Sequence, residues 1–361
     1  VSVVSEQTKG KPSSIVDWSM AASTGALLVR SGPVVPQEEA ELAVTELREL
    51  TIAAEAHVRE LTGLGEGLPL LPGEVVDRPG WVRAAAVGLG ELTGRAMPRS
   101  QPGPFAPLLA SGAGVQTGLV LAFLGSRVLG QYDPFGGPER DGQLVLVAPN
   151  VVSAQRAMKV DGHDFRMWVC LHECTHRLQF TAVDWLRDYF AEQVATLVGD
   201  LSSTDGVGDL LGRLPETVKE LRRSREGDGK GSSVGIAELL QSPQQRVVFD
   251  RLLALSTLLE GHADYVMDAV GPSVVPSVRT IRSRFTARRQ GGGVFDRLLR
   301  HLLGVDAKIR QYAEGAVFVR EVIDSVGMSG FNAVWTSPET LPTRAEITDP
   351  ARWVRRVHSG G

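Results

Sequence analysis

The chain reads as a predominantly helical, α+β protein with a small sheet beside its central helix. Two long segments, 37–61 and 246–271, repeat apolar residues at helical spacing. A third, with the apolar flanks Phe165, Trp168, Val169, Leu171, Leu178 and Phe180, carries His172-Glu173-Cys174-Thr175-His176. One short run, Gln143-Leu144-Val145-Leu146-Val147-Ala148, is rich in Val and Leu and lies between Asp141-Gly142 and Pro149-Asn150, which predicts a strand.

Taken in order, residues 1–14 are small and polar and are expected to form a disordered tail without the apolar segment of a secretory signal. An N-terminal helical region is expected over 15–140, and a second region over 141–361 holds the chemistry; the two could form one compact unit. Gln37 to Leu61 is amphipathic and stops at Thr62-Gly63. Gly63 to Gly80, dense in Gly and Pro, reads as a loop. Phe105 to Val128 approaches membrane-span length, but Ser111, Gln116, Thr117 and four glycines argue for a buried core helix, with Gly114 and Gly118 allowing close packing. Helix is expected again over 181–200, a turn at 202–208, a surface loop at 225–233 and a hinge at Gly291-Gly292-Gly293. The aromatics Phe331, Trp335 and Trp353 suggest that the Pro-containing C-terminal segment wraps onto the body.

The HExxH segment carries the chemistry. A helix turns about 100° per residue, so His172 and His176 lie one turn apart on one face. Two imidazoles so placed can hold one Zn²⁺ at about 2.0–2.1 Å each. Glu173, offset around the helix, can reach the metal's water as general base. Cys170 and Cys174 are each two positions from a motif histidine, about 200° away, and read as buried thiols outside the metal set.

A catalytic zinc takes three protein ligands and a water. The third is sought in Glu260-Gly261-His262-Ala263-Asp264, within the 246–271 helix. Glu260 and Asp264 share a face, and with Glu260 as ligand Asp264 could accept a hydrogen bond from the other ring nitrogen of His172. This arrangement resembles the gluzincin class of metallopeptidases. His262 competes for the third position; otherwise it could steady the oxyanion of a tetrahedral intermediate, a role Tyr265 and Tyr312 could also fill.

The 361 residues hold 43% apolar and 22% charged side chains with a formal charge of −4, an ordinary soluble composition that gives no basic surface for nucleic acid. Two cysteines four apart on one helix do not build a disulfide framework, which fits a cytoplasmic protein.

Beyond these residues, Asp17-Trp18, Gly32-Pro33, His57 to Leu64, Pro149-Asn150, Gln311-Tyr312, Asn332-Ala333-Val334-Trp335 and Leu341-Pro342 complete a pattern. The whole chain resembles the actinobacterial zincin-like metallopeptidase family of unassigned function, in the subgroup associated with deazaflavin-coenzyme biosynthesis. The resemblance implies a helical, zincin-like fold and a hydrolase and supplies no substrate; a peptide or small amide is the expected partner of the metal-site chemistry. The expectation is therefore a zinc hydrolase with ligands His172, His176 and Glu260 and base Glu173. A zinc-stabilised scaffold without catalysis, or a hydrolase of a non-peptide amide in coenzyme metabolism, stands beside it.

Overall fold

The computed structural model describes residues 15–96, 106–138, 142–201, 243–290 and 305–358. The expectations for 1–14, 202–208, 225–233 and the glycine run at 291–293 lie outside these residues.

Helix α1 (Trp18–Leu28) starts at Asp17, whose Oδ1 accepts from the Met20 N–H at 2.9 Å. Helix α2 (Gln37–Thr62) ends where Gly63 turns left-handed at φ 71° and its N–H returns to Arg59 O, the stop read from Thr62-Gly63. Strand β1 (Glu74–Val76) and the start of α3 (Arg78–Ala96) fall inside the stretch expected to be loop. Helix α4 (Ala106–Gly125) is followed by β2 (Gly130–Asp133) and β3 (Gln143–Val147), and then by α5 (Ala148–Met158), so Pro149-Asn150 opens a helix.

The sheet order is β1-β3-β2, with β1 parallel and β2 antiparallel to β3. The predicted strand is therefore central, paired on both sides, and cannot itself offer an edge to a peptide. The edge strands are β1 and β2. Side chains of β3 alternate between two cores, as period-two geometry requires. Leu144 and Leu146 join the main core with α2 and the HExxH helix, and Val145 and Val147 join a second core with Ala21, Trp81, Val82 and Leu121. One sheet thus draws strands from both sides of residue 140 and forms the wall between the N-terminal helices and the site.

Helix α4 is a peripheral helix rather than the fully buried one expected. Gly114 and Gly118 do give close packing: a Cβ on Gly118 would stand 2.8 Å from Ala21 O and Thr24 Cβ of α1. The opposite face, with Val115, Leu119 and Val120, is exposed. Among the described residues no helix is long and apolar enough to cross a membrane.

Helix α6 (Gly162–Thr181) is the axis of the main core. Asp161 caps it, Oδ1 accepting from the Asp164 N–H at 2.9 Å. Phe165, Trp168, Val169, Leu171 and Leu178 are buried around it, each such side chain adding about 1.5–3 kcal/mol. Cys170 and Cys174 are also buried and face α2, where Cys174 Sγ meets Thr51 O at 3.2 Å. Burial pushes the Cys174 thiol up to about 12 and that of Cys170 up as well. Both thiols therefore stay off the metal face, as the helical spacing predicts.

The remaining elements are α7 (Leu186–Leu201), α8 (Pro243–Ala269), α9 (Val278–Gln290), α10 (Val305–Phe331), two 3₁₀ turns (Asn332–Trp335 and Pro338–Thr340), α11 (Arg344–Thr348) and α12 (Pro350–His358). Trp335 and Trp353 are buried, so the C-terminal segment wraps onto the body. Helix α8 packs on α6 and against α10. A Cβ on Gly261 would run into the backbone of Gly315, so glycine lets α10 approach α8 beside Glu260.

Two buried polar ties hold these layers. Glu55 on α2 pairs with Arg59 and with Arg177 on α6, whose Nε lies 2.9 Å from Glu55 Oε2. These arginines donate to Leu68 O, Pro69 O and Leu71 O and so fasten the 63–73 segment. Elsewhere Asn150 Oδ1 accepts from Arg78 Nε at 2.7 Å, while its amide donates to Gly125 O and Val128 O. Pro149-Asn150 is thus a packing motif.

Candidate metal centre

From Asp164 to Gln179 every residue of α6 is buried except the two motif histidines. His172 and His176 are half-buried, with ring centroids 4.6 Å apart and Nε2 atoms 3.2 Å apart. From α8, Glu260 brings Oε2 to 3.6 Å from His172 Nε2 and 3.8 Å from His176 Nε2. One ligand atom from each of the three lies within 4.8 Å of the others. Zinc–ligand bonds of about 2.0–2.1 Å at tetrahedral angles place ligand atoms about 3.3 Å apart. The donor set and its spacing therefore fit a zinc ion.

Glu173 sits one residue around the helix and is 6% exposed. Its carboxylate packs over Gly130 of β2, where a Cβ would stand 2.6 Å from Cγ and 2.9 Å from Oε1, and the Tyr132 N–H donates to it. Burial, then the nearby Glu260 charge, push its pKa up to about 8 against the pull of that N–H. The Val147 N–H to Leu129 O bond sets the phase of the β2–β3 ladder, so the backbone groups of Gly130 and Tyr132 point away from β3 toward Glu173.

The other candidates fall elsewhere. His262, about 200° around α8 from Glu260, is 0% exposed. Its ring lies 5.2 Å from Phe331 and 5.5 Å from Trp335 (centroid distances) and its Nδ1 is 3.1 Å from Gln179 Nε2. It lies outside the donor set of His172, His176 and Glu260. Burial, with a further contribution from His176, holds its pKa down at about 3, a neutral ring. Asp264 is taken by Arg282 of α9, whose Nη1 donates to its Oδ1 at 3.0 Å. The place expected for it beside His172 is held by Met267, whose Sδ is 3.2 Å from Nδ1. Tyr265 is half-buried beneath Arg320, and the side chain of Tyr312 lies outside the described residues.

Sequence reasoning missed three contributors: Gly130, Met267 and Gln179. Gln179 Oε1 is 2.8 Å from His176 Nδ1, and its Nε2 is 2.9 Å from Leu259 O. A signal existed for Gln179, which stands three residues past His176 on the same helical face.

A helix-borne histidine pair completed by a carboxylate from a second helix, in a mostly helical frame with a three-stranded sheet, defines the zincin-like class. The chain belongs to the zincin-like metallopeptidase family, whose model matches residues 16–354. It is also similar to a solved structure from Chloroflexus aurantiacus, described as a "putative hydrolase with a novel fold", at 28% identity and a TM-score of 0.67 over 96% of this chain and 100% of that one. No curated protein matches it. Family and neighbour together support a hydrolase.

Proposed function

We propose that the protein is a zinc-dependent hydrolase that cleaves a peptide or amide bond. The observation that carries this reading is the convergence of His172, His176 and Glu260 on one point, with Glu173 close enough to Glu260 to feel its charge. Zinc held there would act as a Lewis acid on the scissile carbonyl and bring the pKa of a bound water toward about 7. Glu173 accepts the proton of the attacking water and passes it to the leaving nitrogen. Burial, then the Glu260 charge, hold Glu173 up at about 8, and a dication on Glu260 would oppose the second of these and favour the basic form. Glu173 would have no such task in a purely structural site.

The outward backbone groups of Gly130 and the outward Tyr132 carbonyl, with the Tyr132 N–H taken by Glu173, favour an extended substrate. A peptide laid along β2 would pair with this edge and bring its carbonyl over the three donors. Elemental analysis of protein purified without added metal, alongside His172→Ala, tests the site: about one zinc per chain, absent in the variant, is expected. Glu173→Gln should keep that zinc and lose turnover. An unchanged rate in Glu173→Gln would sink the mechanism, and absence of zinc after reconstitution would remove the metal site on which it rests.

A further inference from the structure

One buried side chain joins the two ligand helices. Gln179 projects from α6, is fully buried, and makes three contacts. Oε1 faces His176 Nδ1 at 2.8 Å, and Nε2 faces both Leu259 O at 2.9 Å and His262 Nδ1 at 3.1 Å.

A carboxamide has one accepting and one donating end, and Leu259 decides which is which. Its carbonyl oxygen has no proton to give. Turning the amide over would set two carbonyl oxygens against each other at 2.9 Å, with no hydrogen between them. The NH₂ end therefore faces Leu259 and the oxygen faces His176. A carbonyl oxygen can only accept, so His176 Nδ1 must carry its ring proton. In a neutral imidazole the lone pair then lies on Nε2, the atom 3.8 Å from Glu260 Oε2 and 3.2 Å from His172 Nε2. The second amide hydrogen points at His262 Nδ1, which accepts and leaves the His262 proton on Nε2. Among the described residues that buried Nε2 has no hydrogen-bond partner, and the ring packs near Phe331 and Trp335.

We infer that Gln179 is a positioning residue that fixes His176 in its Nδ1–H form, with its own orientation set by the backbone carbonyl next to Glu260 and by His262. The inference rests on the metal-site reading above. It gives His262 a purpose that its burial otherwise leaves without account: it accepts the second amide hydrogen, so that Gln179 is satisfied only in the orientation His176 needs. Correct placement of α8 against α6 thus sets two things at once, the position of Glu260 and the tautomer of His176. An orienting group of this kind is commonly worth 10–100-fold in metal affinity.

The test reads the tautomer directly. Metal-free protein is labelled with ¹⁵N-histidine, and the His176 ring is assigned by its loss in His176→Gln. At a pH where imidazoles are neutral, His176 should show a pyrrole-type Nδ1 and a pyridine-type Nε2. In Gln179→Leu the same ring should move toward the opposite tautomer, and zinc affinity, measured against a competing chelator, should fall about 10–100-fold. A pyridine-type Nδ1 in the parent overturns the inference, as does parental zinc affinity in a folded Gln179→Leu. If Gln179→Leu fails to fold, the parent's own ¹⁵N pattern decides. A parent that shows the Nδ1–H form yet binds no zinc keeps this inference and removes the hydrolase reading, so the two fail separately.

Discussion

Gly130→Ala is the sharpest probe of how β2 positions the proposed base. The added Cβ would stand 2.6 Å from Glu173 Cγ, 2.8 Å from Cδ and 2.9 Å from Oε1. Carbon pairs rest at about 3.5–4.0 Å, so the carboxylate must retreat by about 1 Å or be compressed. The backbone is not the obstacle, since Gly130 is absent from the positive-φ positions and alanine can adopt its conformation. A retreat of about 1 Å by a reacting group costs on the order of 10²-fold in rate. If Glu173 holds its place instead, overpacking costs about 1–3 kcal/mol of stability. The assay pairs turnover of a fluorogenic peptide mixture with urea unfolding and zinc stoichiometry. Zinc should be retained, because Glu173 is outside the donor set, while turnover falls about a hundredfold or stability drops by the overpacking cost. Parental turnover together with parental stability would refute the claim that β2 and Glu173 are in van der Waals contact.

Two further predictions need no substrate. Glu55→Ala leaves Arg59 and Arg177 buried without their carboxylate, and urea unfolding should show a loss of about 3–5 kcal/mol; a loss under 1 kcal/mol would mean that the arginines find water instead. The pH dependence of metal-free stability has two opposing arms. His262 is depressed from 6.5 to about 3, so its contribution is present above pH 6.5 and is lost as pH falls toward 3. Glu173 is raised from 4.5 to about 8, so its contribution is full below 4.5 and is lost as pH rises through 8. The arms offset each other between 4.5 and 6.5. From 6.5 to 8 Glu173 acts alone, with a slope of at most about 1.4 kcal/mol per pH unit. Chemical denaturation across pH should show that decline in metal-free protein and not in Glu173→Gln. An equal decline in both would assign it to another group.

What could be read from the sequence divides along physical lines. The His172–His176 pair and the Glu260 helix were legible because both rest on local periodicity: four residues make one turn, and an apolar stripe marks the buried face. Helix α2 was legible to its last residue because Gly63 ends it by a local mechanism. Strand β2 was not, because Gly130-Gln131-Tyr132-Asp133 has no alternating apolar pattern and is extended only through pairing with β3. Asp264 shows where local reasoning stops. Its spacing from Glu260 is right for a carboxylate behind a metal ligand, yet Arg282, eighteen residues further on, captures it. Gln179 is the converse case. Its spacing from His176 was visible, but an amide can donate or accept, and only the Leu259 carbonyl, eighty residues away in the chain, settles which. Spacing along one helix can nominate the atoms that meet a metal. The direction of the hydrogen bonds behind them is decided by the neighbouring helix, so the three side chains that meet here were legible and the hydrogen bonds behind them were not.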